Sequence, residues 1–257
     1  MSIYQHFRPR EKGFIDQVFS WIRYVDMRYA PKLTDFLDPR EQHIVQSVVR
    51  YQDLCNVSFF GGAEQNERRR AILYPNYLEV TEDDFSIALF EIIYPDKFVT
   101  IAHPQVLGSL LGSGVKRSKF GDIIIRDERI QFFVAKEIAE YIQLNVDRIG
   151  KTAVTLKQLP LVEALEAEES WQELVLSVSS LRLDAVLSGA HNLSRQKARE
   201  WIQRGLVKVN WEIVEEPDYQ LEEHDVISAR RLGRIKIFQL LGQTKKEKWR
   251  ILVGKQK

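Results

Sequence analysis

The chain has 257 residues, long enough for one to three domains with buried cores. With 44% apolar and 28% charged residues it lies in the ordinary globular range, which excludes wholesale disorder. The lone Cys55 excludes a disulfide framework and a cysteine-based zinc site, and the net charge of +1 gives no overall pull toward nucleic acid.

The first residues, MSIYQHFRPR, lack the apolar run of a signal peptide, and no stretch approaches the roughly 18 apolar residues of a membrane span. The expectation is a cytoplasmic protein with no membrane partner. Phe14, Ile15, Val18, Phe19, Ile22 and Val25 recur at three- and four-residue spacing, which predicts an amphipathic helix stopped at Pro31. Asp38-Pro39 opens a second helix, carrying Ile44, Val45, Val48 and Val49. Residues 1–70 are therefore expected as a mostly helical N-terminal domain.

From Val57 the texture becomes β-rich: VSFF, RRRAILYP and SIALFEIIYP read as strands. HPQVLGSLLGSG reads as a helix, with His103-Pro104 at its start and glycine at its end. GDIIIRD and RIQFFVA predict a hairpin, AKEIAEYIQLNVDRIG a helix closed by Gly150, and KTAVTLKQL a further strand. This mixture predicts an α+β domain over 71–165, RRM-like or ferredoxin-like. Residues 161–170 are acidic and read as a short helix or a linker, and 173–257 as the last domain.

Three basic clusters lie before that last domain. Gly112-Ser113-Gly114 followed by Lys116, Arg117 and Lys119 reads either as a phosphate-approaching loop or as a helix end with solvated charges. Arg68-Arg69-Arg70 and the pair Arg148 and Lys151 read as surface.

The charge is unevenly spread. Residues 181–257 hold 16 Lys plus Arg and 10 Asp plus Glu, a net +6, which leaves −5 on residues 1–180. Such asymmetry hints at a nucleic-acid-binding segment. Within 181–227, Asp184 is placed to cap a helix over 185–188, and Ser194 to cap one running to Arg204 and Gly205. In the second helix Ala198, Trp201 and Ile202 form an apolar stripe, with Arg195, Lys197, Arg199 and Arg204 on the remaining surface.

The ordered residues Arg182-Leu183-Asp184 with Leu187, Ser194-Arg195 with Ala198, Ile202, Gly205, Val207, Val209 and Asn210, and then Leu221, Asp225 and Ile227 resemble the S-four RNA-binding domain. Trp211 departs from the pattern at a turn position where many members carry glycine. The resemblance implies docking on structured RNA through Arg182, Ser194, Arg195, Lys197, Arg199, Arg204 and Lys208. Asp184, Gly205, Trp201 and Ile202 are expected to hold the fold. The tail adds Arg230, Arg231, Arg234 and Lys236, then Lys245, Lys246, Lys248 and Arg250. Ile235, Ile237 and Phe238 among these predict a final strand or two, either widening the electrostatic footprint or merely solubilising the C-terminus.

The stretch LGSLLGSGVKRSKFGDIII, with YIQLNVDRIGKTAV after it and the S-four segment last, resembles the YlmH family across nearly the whole chain. The resemblance implies binding to ribosomal RNA, with tRNA as a further candidate, on the large ribosomal subunit carrying stalled peptidyl-tRNA. That role belongs to ribosome-associated quality control, in a bacterial family whose genes often sit near cell-division genes. No cofactor, metal or small-molecule substrate is expected, and the chain is read as non-enzymatic. The rival enzyme is a pseudouridine synthase, since RLDAVLSG echoes an RLDxxTSG active-site motif. Leu187 in place of the threonine, and only 73 residues after Asp184, oppose it. A third reading is an interaction scaffold in cell division.

Overall fold

The protein was studied as a computed structural model that describes residues 3–7, 9–97, 99–166, 171–244 and 247–256. Two compact units divide it, residues 1–168 and 169–257.

In the first unit, α1 (Lys12–Arg28) buries Ile15, Val18, Ile22 and Val25, the inner part of the predicted stripe. It ends where Tyr29 turns left-handed and its amide donates to the Val25 carbonyl. Next comes β1 (Lys32–Leu37), a strand in the region expected to be mostly helical. Lysine and aspartate within its six residues hide it from propensity, and long-range pairing settles it: the Ala71 amide donates to Thr34 Oγ1 at 2.9 Å. In α2 (Pro39–Gln52), Asp38 and Glu41 form a reciprocal capping box at 2.9 and 2.7 Å. With β2 (Asn56–Phe60) and β3 (Arg69–Tyr74), β1 forms an antiparallel sheet in the order β1-β3-β2. Leu37, Ala71 and Leu73 on that sheet pack with α1 and α2.

The chain continues through β4 (Ile87–Ile93), α3 (His103–Gly112), β5 (Phe120–Arg126) and β6 (Arg129–Ala135). The β5–β6 turn has positive φ at Asp127 and Glu128, 47° and 67°, as a tight two-residue hairpin requires. Then follow α4 (Ala139–Asn145), the paired β7 (Arg148–Ile149) and β8 (Thr152–Ala153), and β9 (Thr155–Leu159). The helix expected to reach Gly150 stops at Asn145, because Arg148 and Ile149 pair with Ala153 and Thr152; Gly150, at φ 59°, sits in the turn between them. His103 is the first residue of α3, whose preceding amide, at Ala102, donates to Gln105 Oε1.

The second sheet is antiparallel with order β5-β6-β4-β9. Counted as β-α-β-β-α-β from β4 to β9, that is the ferredoxin-like arrangement. Phe90, Phe132 and Val134 face α3 and α4. The other face is also buried: Leu89, Phe133 and Ile124 pack with Phe36 and Ile72 of the first sheet. Gly62 permits the approach, since at φ 93° a Cβ there would lie 2.4 Å from Phe133 Cδ1. The three-part domain division remains a proposal, with its first boundary moved past Tyr74 because β3 runs unbroken across residue 70.

The second unit begins with β10 (Trp171–Val178), then α5 (Leu183–His191), α6 (Arg195–Gln203), β11 (Val207–Val209), β12 (Glu212–Ile213), β13 (Val226–Ala229), β14 (Gly233–Gln243) and β15 (Trp249–Gln256). Its sheet order is β10-β15-β14-β13-β11-β12. Val186, Leu187, Ala198 and Ile202 of the helices pack on Val209, Ile227, Ile235, Ile251 and Val253 of the sheet.

Candidate nucleic-acid interface

Asp184 is the centre of the site. Its side chain is 1% exposed, and four arginine N–H groups reach it. Arg182 donates from Nε and Nη2 at 3.2 and 3.3 Å, and Arg195 from Nη2 and Nε at 3.1 and 3.2 Å. Arg199 Nε stands 4.0 Å away. Burial pushes the Asp184 carboxyl up, but the hydrogen bonds and charges of Arg195 and Arg182 outweigh it and hold the group below its ordinary value.

This corrects the expected role of Asp184 as a helix cap. The helix begins at Leu183, inside which Asp184 lies, and the amides of Leu183 and Asp184 donate to the Tyr219 and Pro217 carbonyls. Three guanidinium groups around one carboxylate carry a net +2. Asp184 fixes one edge of Arg182 and of Arg195, whose side chains stay 33% and 47% exposed; Arg195 Nη1 also reaches Ser179 Oγ at 3.5 Å, and Arg199, 55% exposed, stands at ion-pair distance. Such pre-positioned forks suit phosphate oxygens.

Ser194 caps α6, its Oγ accepting from the Lys197 amide at 3.2 Å. Lys197 is exposed on the same first turn. Arg204 is exposed at the end of α6, and the Arg230 amide donates to the Leu206 carbonyl, so the exposed Arg230-Arg231 turn sits beside that end. Lys208 belongs elsewhere. It pairs with Ser228 and Ile213, between the inward-facing Val207 and Val209, so it stands on the sheet face opposite the helices.

The first unit uses two of its predicted cations, Arg117 and Lys119, internally. Arg117 Nη1 donates to the Phe120 and Gly121 carbonyls at 2.6 and 3.1 Å, and burial together with the Arg68 charge lowers its pKa to about 10. Lys119 bridges Asp35 and Glu137 at 2.5 and 2.9 Å. The amides of Ser113 and Gly114 donate to the Leu110 and Leu111 carbonyls, as a helix end does. Lys116 is exposed and lines an open cavity of about 400 Å³ with Trp21 and Lys32. Arg68, Arg69 and Arg70, expected at the surface, are structural: Arg70 is 3% exposed and binds the Thr34 and Ser86 carbonyls and Glu137. Arg68 reaches the Phe120 and Phe36 carbonyls, and Arg69 those of Asn66 and Glu64. Lys245 and Lys246 lie outside the described residues.

Sequence reasoning expected Arg234 and Lys236 as basic positions of a final strand, and β14 carries them there; it missed that Trp171 and Phe238 meet beside them. Among the described residues no group of three or more His, Cys, Asp and Glu could hold a metal ion, and no helix is long and apolar enough to cross a membrane.

Two family models match the chain. One, described as "Putative RNA-binding domain in YlmH", covers residues 80–163, and the S4 domain covers 181–227. A Bacillus subtilis relative, "Ribosome-associated protein quality control protein P2", is 43% identical over 260 aligned positions, spanning 100% of this chain and 99% of its own. A solved structure, "Cell division protein ylmH from Streptococcus pneumoniae", is similar at TM-score 0.58 and 30% identity, covering 64% of this chain and 100% of its own.

Proposed function

This chain belongs to the YlmH family, and on that premise we propose that it is a non-enzymatic, cytoplasmic RNA-binding protein of ribosome-associated quality control. Its S-four domain docks on ribosomal RNA of the large subunit, beside peptidyl-tRNA, through the arginines gathered by Asp184. The observation that carries the reading is that hub: a buried carboxylate holding Arg182 and Arg195 by hydrogen bonds, with Arg199 at ion-pair distance, while all three arginine side chains remain a third to a half exposed. The ribosomal address is supported by the full-length likeness to the B. subtilis quality-control protein.

The middle domain contributes in a way unlike an RNA-recognition motif, in which bases stack on aromatic residues of the open sheet face. Here that face is filled by Phe36, Ile72 and Phe133. Asp184, the residue a pseudouridine synthase reading would make catalytic, is enclosed and saturated by arginines, which supports a binding role. Incubation with ribosomal RNA followed by mass spectrometry tests this; an Asp184-dependent modified base would overturn it.

The principal test is the variant with Arg195, Lys197 and Arg199 all replaced by alanine. Its affinity for ribosomal RNA should fall, and the slope of log K against log salt should flatten by about three, one per lost phosphate contact. An unchanged slope refutes the site. The cell-division scaffold reading, suggested by the name of the streptococcal structure, predicts instead no co-sedimentation with large subunits.

A further inference from the structure

The sheet of the C-terminal unit has two faces, and α5 and α6 pack against only one. Pairing register and strand alternation place the residues of the other. Lys208, Ser228 and Arg234 form one cross-strand row, and Val226, Lys236, Gly254 and Glu173 the next. Val175 stands opposite Leu252, and Ser177 opposite Arg250.

The Phe238 ring and the base of the Trp171 side chain lie against Gly254. A Cβ there would come within 2.6 Å of the Phe238 ring and 2.8 Å of Trp171 Cβ, so glycine lets both side chains settle on the strand. Phe238 and Trp171 meet edge to face at 6.2 Å, and Lys236 Nζ sits 5.9 Å from the Trp171 ring centroid. Both rings are half-buried, Val175 is 50% exposed, and Arg250 is exposed.

We propose that this helix-free face is a second RNA-contacting surface, on which Lys208, Arg234, Lys236 and Arg250 neutralise phosphates and Trp171 with Phe238 offers ring surface to unpaired bases. It rests on the reading of the chain as an RNA-binding protein, but not on the Asp184 hub. Charge complementarity identifies the occupant: among the described strand residues of this face, Lys208, Arg234, Lys236 and Arg250 stand with one carboxylate, Glu173. A protein-docking patch depletes charge from its centre, whereas cations interleaved with rings are what single-stranded nucleic acid binds. Most of this face also lies outside the 181–227 segment that matches the S4 domain, so the ordinary domain pattern does not account for it.

The test uses the full chain, fluorescence anisotropy across a KCl series, and two labelled probes, oligouridine and an RNA hairpin. The double variant Arg234→Gln, Lys236→Gln should weaken oligouridine binding and lower its salt slope by about 1.4. Val175→Glu changes an exposed position and adds a repelling carboxylate to the face, so it should weaken the same probe while the fold stays intact by circular dichroism. Ultraviolet crosslinks to oligouridine should fall in 171–178 or 234–239. If both variants bind as wild type while the Arg195, Lys197 and Arg199 triple variant loses RNA, this surface is refuted and the helix-side site stands. If none of the variants changes binding, both fail together. Loss of ribosome association in the double variant with RNA affinity intact also overturns it, in favour of a protein partner.

Discussion

Replacing Asp184 by asparagine separates organisation from charge. The substitution keeps the shape of the side chain and removes the one anion among three arginines, raising the local charge from +2 to +3. Breaking a fully buried ion pair by removing one partner costs about 3–5 kcal/mol, while an exposed pair contributes about 0–1 kcal/mol. Here the carboxylate is enclosed but the arginines are a third to a half exposed, which places the expected loss near 2 kcal/mol. Four of the five tryptophans, Trp171, Trp201, Trp211 and Trp249, lie in the C-terminal unit, so fluorescence during denaturation reads that unit preferentially. Because the folded carboxyl is held below its ordinary value of 3.8, its stabilisation is present above that value and lost as pH falls through the folded one. The asparagine variant should therefore lose the share of the acid-dependent stability that Asp184 supplies. For RNA, the freed arginines regain rotamer freedom that must be given up on binding. The Asp184→Asn variant should bind structured RNA more weakly despite its extra positive charge. Tighter binding would refute the reasoning, since charge alone would then explain the affinity.

Arg117→Ala should destabilise the N-terminal unit by about 1–3 kcal/mol, because two backbone carbonyls lose a charged donor. RNA affinity measured on the folded variant should not change. Gly62→Ala should cost about 3 kcal/mol or more in a denaturant titration, through both its φ of 93° and the collision with Phe133; a loss under 1 kcal/mol contradicts the packing described. Burial and the Asp26 charge raise the Cys55 thiol to about 11, so alkylation near pH 8 should be slow in the native protein and fast in denaturant. Rapid native alkylation would show that the α1–α2 core opens readily.

Much of this was legible locally. The stripes of α1 and α2, the charged β5–β6 turn and the Ser194 cap are short-range patterns, and each repeats in the structure. What escaped depends on partners distant in sequence. The strand β1 is fixed by β3, and Arg70 is a buried tie because Thr34, Ser86 and Glu137 converge on it from three segments. The basic run 116–119 read equally as a phosphate loop or a helix end with solvated charges; Asp35 and Glu137 hold Lys119, two backbone carbonyls hold Arg117, and Lys116 stays exposed. Within the S-four segment the motif residues were evident, but not that Asp184 gathers the arginines, or that Lys208 turns to the opposite face of the sheet.

The most direct test of the central claim is crosslinking of the protein to RNA in cells, with sequencing of the bound fragments and mapping of the crosslinked peptides. The account predicts large-subunit ribosomal RNA fragments joined to peptides within residues 182–204. Crosslinks confined to residues 1–168, or the absence of ribosomal RNA among the fragments, would contradict it.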